Sequence, residues 1–176
     1  MPENASSVYL GIDPGLRITG YGVLRFASGT IELLDGGTIR SSSECTLPDR
    51  LNELYSGLLE ILDQFRPVAM GLEKIYAHYK HPATAIKMAH ARGVLCLAAV
   101  RRQVCIIPLP ATRIKKLVTG NGRASKEQVS GMVRHILDLP DEIRPNDVSD
   151  ALAVAIAAYE SEKYDRQYKR LSREDS

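Results

Sequence analysis

Residues 8–23 read VYLGIDPGLRITGYGV, and the fold turns on how that stretch is parsed. Val8, Tyr9, Leu10 and Ile12 make a β-rich run heading into a core, yet the run ends on a carboxylate, Asp13, followed at once by Pro14 and Gly15. Two more runs, TGYGVLRFA (19–27) and TIELLDGGTIR (30–40), follow after breaks at Gly15 and at Ser28 and Gly29. Together they predict a meander of three antiparallel strands.

Beyond Pro48 the apolar spacing becomes helical, with Leu51, Leu54, Tyr55, Leu58, Leu59, Ile61, Leu62 and Phe65 on one stripe that stops before Pro67. VAMGLE (68–73) and VCIIPL (104–109) are strand-length runs on either side of an Ala-rich helical segment from Pro82 to Val100. Three helices follow: ATRIKKLVT, ended by Gly120, then Lys126 to Leu137, then Asp147 to Tyr159. The order β-β-β-α-β-α-β-α-α-α predicts an α/β fold, one mixed sheet covered by helices. Residues 1–160 form one domain on this reading, and the polar tail 161–176 is expected to fray.

At 176 residues the chain is long enough to bury a core without metals or disulfides as staples. The N-terminal MPENASSVYL has neither a basic nor an apolar leader region, and no run of about 18 apolar residues stands out. A cytoplasmic protein with no membrane partner is the expectation. The three cysteines are odd in number, and Cys96 and Cys105 lie in apolar runs, so they read as reduced core thiols.

The net charge of +2 hides an asymmetry. Between Lys74 and Arg134 stand twelve Lys or Arg and a single acid, Glu127, whereas the rest of the chain is acidic on balance. So basic a segment points to a polyanion, because Lys and Arg contacts to phosphate supply most non-specific affinity for nucleic acid.

Asp13 has counterparts. Glu73 closes the run VAMGL in the same way, and Asp147 and Asp150, three apart at the start of DVSDALAVAIAAY, share one helix face. Each acid taken singly could serve a turn, a strand end or a helix N-terminus. Together they would repel unless a cation neutralised them, and a donor set of oxygens without His or Cys suits Mg²⁺ or Mn²⁺. Two such ions clamp the attacking and leaving oxygens of a phosphoryl transfer.

In order and spacing, GIDPGLRITGYGV, GLEKIY, KMAHARGVL, GNGRASKEQV and NDVSDALAVAIA resemble the RuvC family of bacterial Holliday-junction resolvases, in the ribonuclease H-like superfamily. The likeness runs from about Val8 to Tyr159. It implies a five-stranded mixed sheet, three strands antiparallel and two parallel, and a homodimer making paired nicks in a four-way DNA junction, with 5′-phosphate and 3′-hydroxyl ends. It places the catalytic, metal-holding set on Asp13, Glu73, Asp147 and Asp150. Two Mg²⁺ per site are implied, with Mn²⁺ able to substitute and Asp13 bridging the pair. Lys115 and Lys126 match basic positions near the scissile backbone, and Tyr76 an aromatic that meets bases near the junction centre. DNA contact is expected also of Lys80, Arg92, Lys116 and Arg123. A RuvA/RuvB-type branch-migration complex is the implied partner.

The loop AHYKHPAT and the pair Ala89 and His90 depart from the family pattern, so sequence preference does not transfer. His78, His81 and His90 match no common metal spacing. Ala85, Ala89, Ala91 and Gly93 permit close packing of their helix, and the resemblance assigns its exposed side to a dimer interface. GIDPGLRIT also resembles the phosphate loop of sugar kinases and actin-like ATPases, but those need a second lobe and a second such loop. The YqgF type shares the first motif without the later ones. The remaining alternative is a junction-binding scaffold without catalysis.

Overall fold

A computed structural model describes residues 6–74, 82–140 and 143–174, with side chains given as far as 167. The strands are β1 (Ser7–Asp13), β2 (Ile18–Ala27), β3 (Thr30–Arg40), β4 (Ala69–Glu73) and β5 (Cys105–Leu109). The helices are α1 (Leu47–Phe65), α2 (Pro82–Arg101), α3 (Ala111–Thr119), α4 (Lys126–Ile136) and α5 (Asn146–Glu174). The sheet order is β3-β2-β1-β4-β5, with β1 to β3 antiparallel and β4 and β5 parallel to β1. This is the five-stranded mixed sheet that the resemblance implied.

Alternation along β1 divides the molecule into layers. Leu10 and Ile12, with Val23, Met70 and Leu72, point to one face and are covered by Leu54, Leu58 and Leu62 of α1 and Leu95 and Ala98 of α2. Tyr9, Leu24, Phe26 and Leu109 point to the other and meet α3, α4 and the apolar run Ala151 to Ala158 of α5. α5 lies so close to the sheet that a methyl group on Gly11 would overlap the carbonyl of Ala151 and the amide of Ala155. Because backbone on both sides would have to move, Gly11→Ala is expected to cost about 3 kcal/mol or more, read from urea unfolding. Wild-type stability in that variant would mean that α5 sits farther from β1.

α1 opens on a capped end, Thr46 accepting from the Asp49 amide, and closes at Arg66 in the left-handed conformation. α5 departs from expectation. Rather than fraying after Tyr159 it continues to Glu174, because its later turns are anchored to the domain. Tyr159 stacks on Phe26 with ring centroids 3.8 Å apart and meets Tyr9 edge to face. The Tyr9 hydroxyl donates to Glu162 at 2.6 Å, and Arg113 donates to the buried Ser161 at 2.9 Å. Polar composition hid these contacts, which link residues far apart in sequence.

The cysteines also depart from expectation. All three are free, but Cys45 and Cys105 are exposed and Cys96 is half-buried. Cys105 opens β5, the outer strand of the sheet, and Cys45 precedes α1, so neither has a layer above it. By length and composition residues 83–101 of α2 could cross a membrane, which the sequence reading did not anticipate. In the fold Ala91, Leu95, Ala98 and Ala99 are buried in the core, while Ile86, Leu97 and Val100 stand out on the surface.

Candidate active site

β1 and β4 run parallel, and their register pairs Ile12 with Leu72. The next residue on each strand, Asp13 and Glu73, therefore leaves the same end of the sheet, side by side. The first turn of α5 brings Asp147 and Asp150 to that end. A second close approach fixes this: Asp13 pairs with Gly20 across β1 and β2, and a methyl on Gly20 would overlap the Asp147 carbonyl. The absence of a Cβ at Gly20 is what allows α5 to begin beside Asp13.

The electrostatics register the crowding. Burial, then the charges of Asp150, Glu73 and Asp147, push the Asp13 carboxyl up to about 7, against a smaller pull from Lys126. Glu73 is also pushed up, by burial first and Asp150 next, while Lys126 and Lys115 work the other way. Lys126 supplies the counter-charge: its Nζ donates to Asp150 Oδ2 at 2.9 Å, and that bond, with the acids behind it, holds the ammonium above its usual range.

Among the described residues, no three His, Cys, Asp or Glu side chains close around one point as they would around a bound ion. The donor set nevertheless fits one. All four groups are hard oxygen donors on rigid element ends, and after burial it is the like charges of Asp150, Glu73 and Asp147 that push Asp13 up, against which Lys126 is the smaller pull.

The turn after Asp13 is held by residues that the sequence reading passed over. Thr19 is fully buried; its hydroxyl donates to the Gly15 carbonyl at 2.7 Å and accepts from the Gly15 amide at 3.3 Å. Arg50 donates to the Leu16 carbonyl at 3.3 Å, and Ser41 donates to the same oxygen. The spacing of Thr19 four residues after Gly15 was the available signal, and it resembles an ordinary strand threonine.

The basic residues divide. Lys115 is half-buried and donates to the Ala124 carbonyl at 2.7 Å, within electrostatic reach of Glu73. Lys116 of α3, Arg123 between the helices and Lys126 at the start of α4 are exposed. Arg92 turns inward instead: Nε donates to the Glu73 carbonyl at 3.3 Å and Nη1 to Cys96 Sγ at 3.4 Å. Its visible role is to tie α2 to the strand end that carries Glu73. Arg102 is occupied by Asp63, with contacts of 2.5 and 2.8 Å. Tyr76, Lys80, His78 and His81 lie outside the described residues, and His90 is exposed.

The family model described as crossover junction endodeoxyribonuclease RuvC matches residues 9–158. A protein of that description from Rhodopirellula baltica is 43% identical over 158 residues, covering 90% of this chain and 88% of its own. The Thermus thermophilus RuvC structure superposes with a TM-score of 0.82 at 31% identity, over 89% of this chain and 96% of that one. A second Thermus thermophilus structure, RuvC in complex with Holliday junction substrate, gives 0.80 at 32% identity, over 86% and 92%.

Proposed function

The chain belongs to the RuvC family of crossover junction endodeoxyribonucleases, and from that membership we propose that it resolves four-way DNA junctions, hydrolysing backbone phosphodiesters at the carboxylate cluster. The observation that carries the reading is the convergence of Asp13, Glu73, Asp147 and Asp150 at one end of the sheet beside Lys126. A protein that only bound DNA would gain nothing from four acids facing phosphate.

Asp13, Glu73, Asp147 and Asp150 would hold divalent ions, Mg²⁺ by preference with Mn²⁺ as substitute, two per site. Such ions supply Lewis-acid stabilisation of the phosphate and a water of lowered pKa as nucleophile. The chain's own residues do the rest. Lys126 presents its remaining donors to the phosphate, and Lys115 sets a second positive charge behind Glu73. Thr19, through Gly15, and Arg92, through the Glu73 carbonyl, hold the two strand-end acids in place. The products are a 3′-hydroxyl and a 5′-phosphate.

Paired nicks need two sites, so we assign the protein to a homodimer. The support is on α2, where Ile86, Leu97 and Val100 are 58%, 52% and 64% exposed along one stripe that passes over Gly93. Leu97→Glu is expected to shift sedimentation from dimer to monomer, and an unshifted dimer would move the interface elsewhere. Action in the cytoplasm alongside a RuvA/RuvB-type motor completes the proposal.

The test is a mobile four-way junction, end-labelled on each strand in turn and incubated with Mg²⁺ or EDTA. Symmetric nicks that ligase reseals, absent in EDTA, are expected. Binding without cleavage in Mg²⁺ and Mn²⁺ would favour the scaffold alternative.

A further inference from the structure

A groove of about 300 Å³ runs between α4 and the start of α5, and of the four clustered acids Asp150 lines it. Lys126, Ser130, Gly131 and Arg134 line one side, Asn146 and Ser149 the other, and Asp150 stands where it meets the cluster. None of these residues except Lys126 and Asp150 takes part in the site described above.

Three features give the groove a chemical character. First, Arg134 is exposed in the last turn of α4 and, among the described residues, forms no side-chain hydrogen bond or ion pair, so its five donors are available. Lys126, 76% exposed, has two donors left beyond the one given to Asp150. Second, the Ser130 hydroxyl lines the groove with its own proton free, because it accepts from the buried Ser149 at 3.0 Å, a bond that joins the two helices. The one acid on the α4 rim, Glu127, is drawn to Ser125 at the helix start, which holds its carboxyl below the usual range. Third, Gly131 is a mid-helix glycine with nothing within 4 Å of where its Cβ would be. Neither packing nor a positive φ requires a glycine there, and in a helix interior it costs about 1 kcal/mol relative to alanine. What it provides is bare helix backbone facing open space.

Two cations, a hydroxyl and an uncovered backbone beside a phosphodiester-cutting centre suit a phosphate group and the sugar carrying it. We infer that the groove is a subsite for a backbone phosphate of the strand being cut, with Arg134 as its main cationic contact. The inference rests on the junction-nuclease reading above. Arg134 lies eight residues beyond Lys126, about 12 Å along α4. With strand charges about 3.4 Å apart along the duplex axis, the bound phosphate is within about four nucleotides of the cut.

The test places a single neutral methylphosphonate at each of the four positions on either side of the cut. Wild type, Arg134→Gln and Gly131→Leu are then compared in junction affinity over a range of salt and in single-turnover cleavage. Arg134→Gln should weaken binding of the unmodified junction about tenfold and reduce the slope of log K against log salt by about one. One methylphosphonate should weaken wild type by a similar factor and add nothing further in Arg134→Gln, because both changes delete the same contact. Gly131→Leu, which fills the groove and favours the helix, should weaken binding comparably with no loss of thermal stability. The inference is overturned if Arg134→Gln binds and cuts like wild type, or if every methylphosphonate loss adds in full to that of Arg134→Gln. Since Arg134 supports nothing in the fold, that variant decides the matter even if Gly131→Leu is unstable. A wild-type protein that does not cut the unmodified junction would strike the functional reading instead.

Discussion

Asp13→Asn is expected to lower the single-turnover rate of junction cleavage by at least about 10³-fold, several kcal/mol of transition-state stabilisation, while junction affinity stays within about threefold of wild type. Asp13 is the acid on which the others act: Asp150, Glu73 and Asp147 all raise its pKa, so it stands central to the set. Asparagine keeps the shape and one oxygen but removes the charge and half of the carboxylate's ligating capacity. Affinity survives because the DNA contacts assigned to Lys115, Lys116, Arg123 and Lys126 are untouched, and because one negative group facing phosphate has gone. Cleavage within tenfold of wild type would remove Asp13 from the catalytic set. A parallel collapse of affinity would make it a folding residue.

The second large effect concerns stability, measured by urea unfolding of the metal-free protein across pH. A carboxyl that releases its proton near 7 when folded and near 4 when unfolded favours the folded state only while protonated. Its contribution is present in full below about pH 4, is lost as pH rises, and is gone above about pH 7. Asp13→Asn escapes that loss, so its advantage over wild type should grow from near zero at pH 4 to as much as about 4 kcal/mol at pH 8. Glu73 is raised by the same causes and steepens the decline in both proteins. Mg²⁺ held by these acids would offset the crowding and displace the proton, so the rise in Tm on adding it should be larger at pH 8 than at pH 6. A difference between the two proteins that is flat from pH 4 to pH 8 would mean that Asp13 is not charged against its neighbours.

Periodicity carried the fold. Alternation in VYLGID and the stripe from Leu51 to Phe65 are local signals that mark the elements, whereas the five-stranded mixed sheet was what the family resemblance implied and the order β3-β2-β1-β4-β5 is seen only in the fold. The strand-end acids were legible for the same reason, since a charge that terminates an apolar run stands out. What failed was whatever depends on a partner remote in sequence. The tail looks frayed until Tyr9 meets Glu162 and Phe26 meets Tyr159. Cys105 looks buried until β5 proves to be the outer strand. Arg92 sits in a basic segment, and nothing there announces its hydrogen bond to the Glu73 carbonyl nineteen residues away. The groove beside Arg134 exists only where two helices fold against each other, and no spacing along the chain announces it.

The central claim, that Asp13, Glu73, Asp147 and Asp150 hold the metal on which cleavage depends, is most directly tested by anomalous scattering from crystals grown with Mn²⁺. The account predicts anomalous peaks bounded by those four carboxylates and their loss in Asp13→Asn. Crystals that bind Mn²⁺ elsewhere, or not at all, with Lys126 still seated on Asp150, would contradict it.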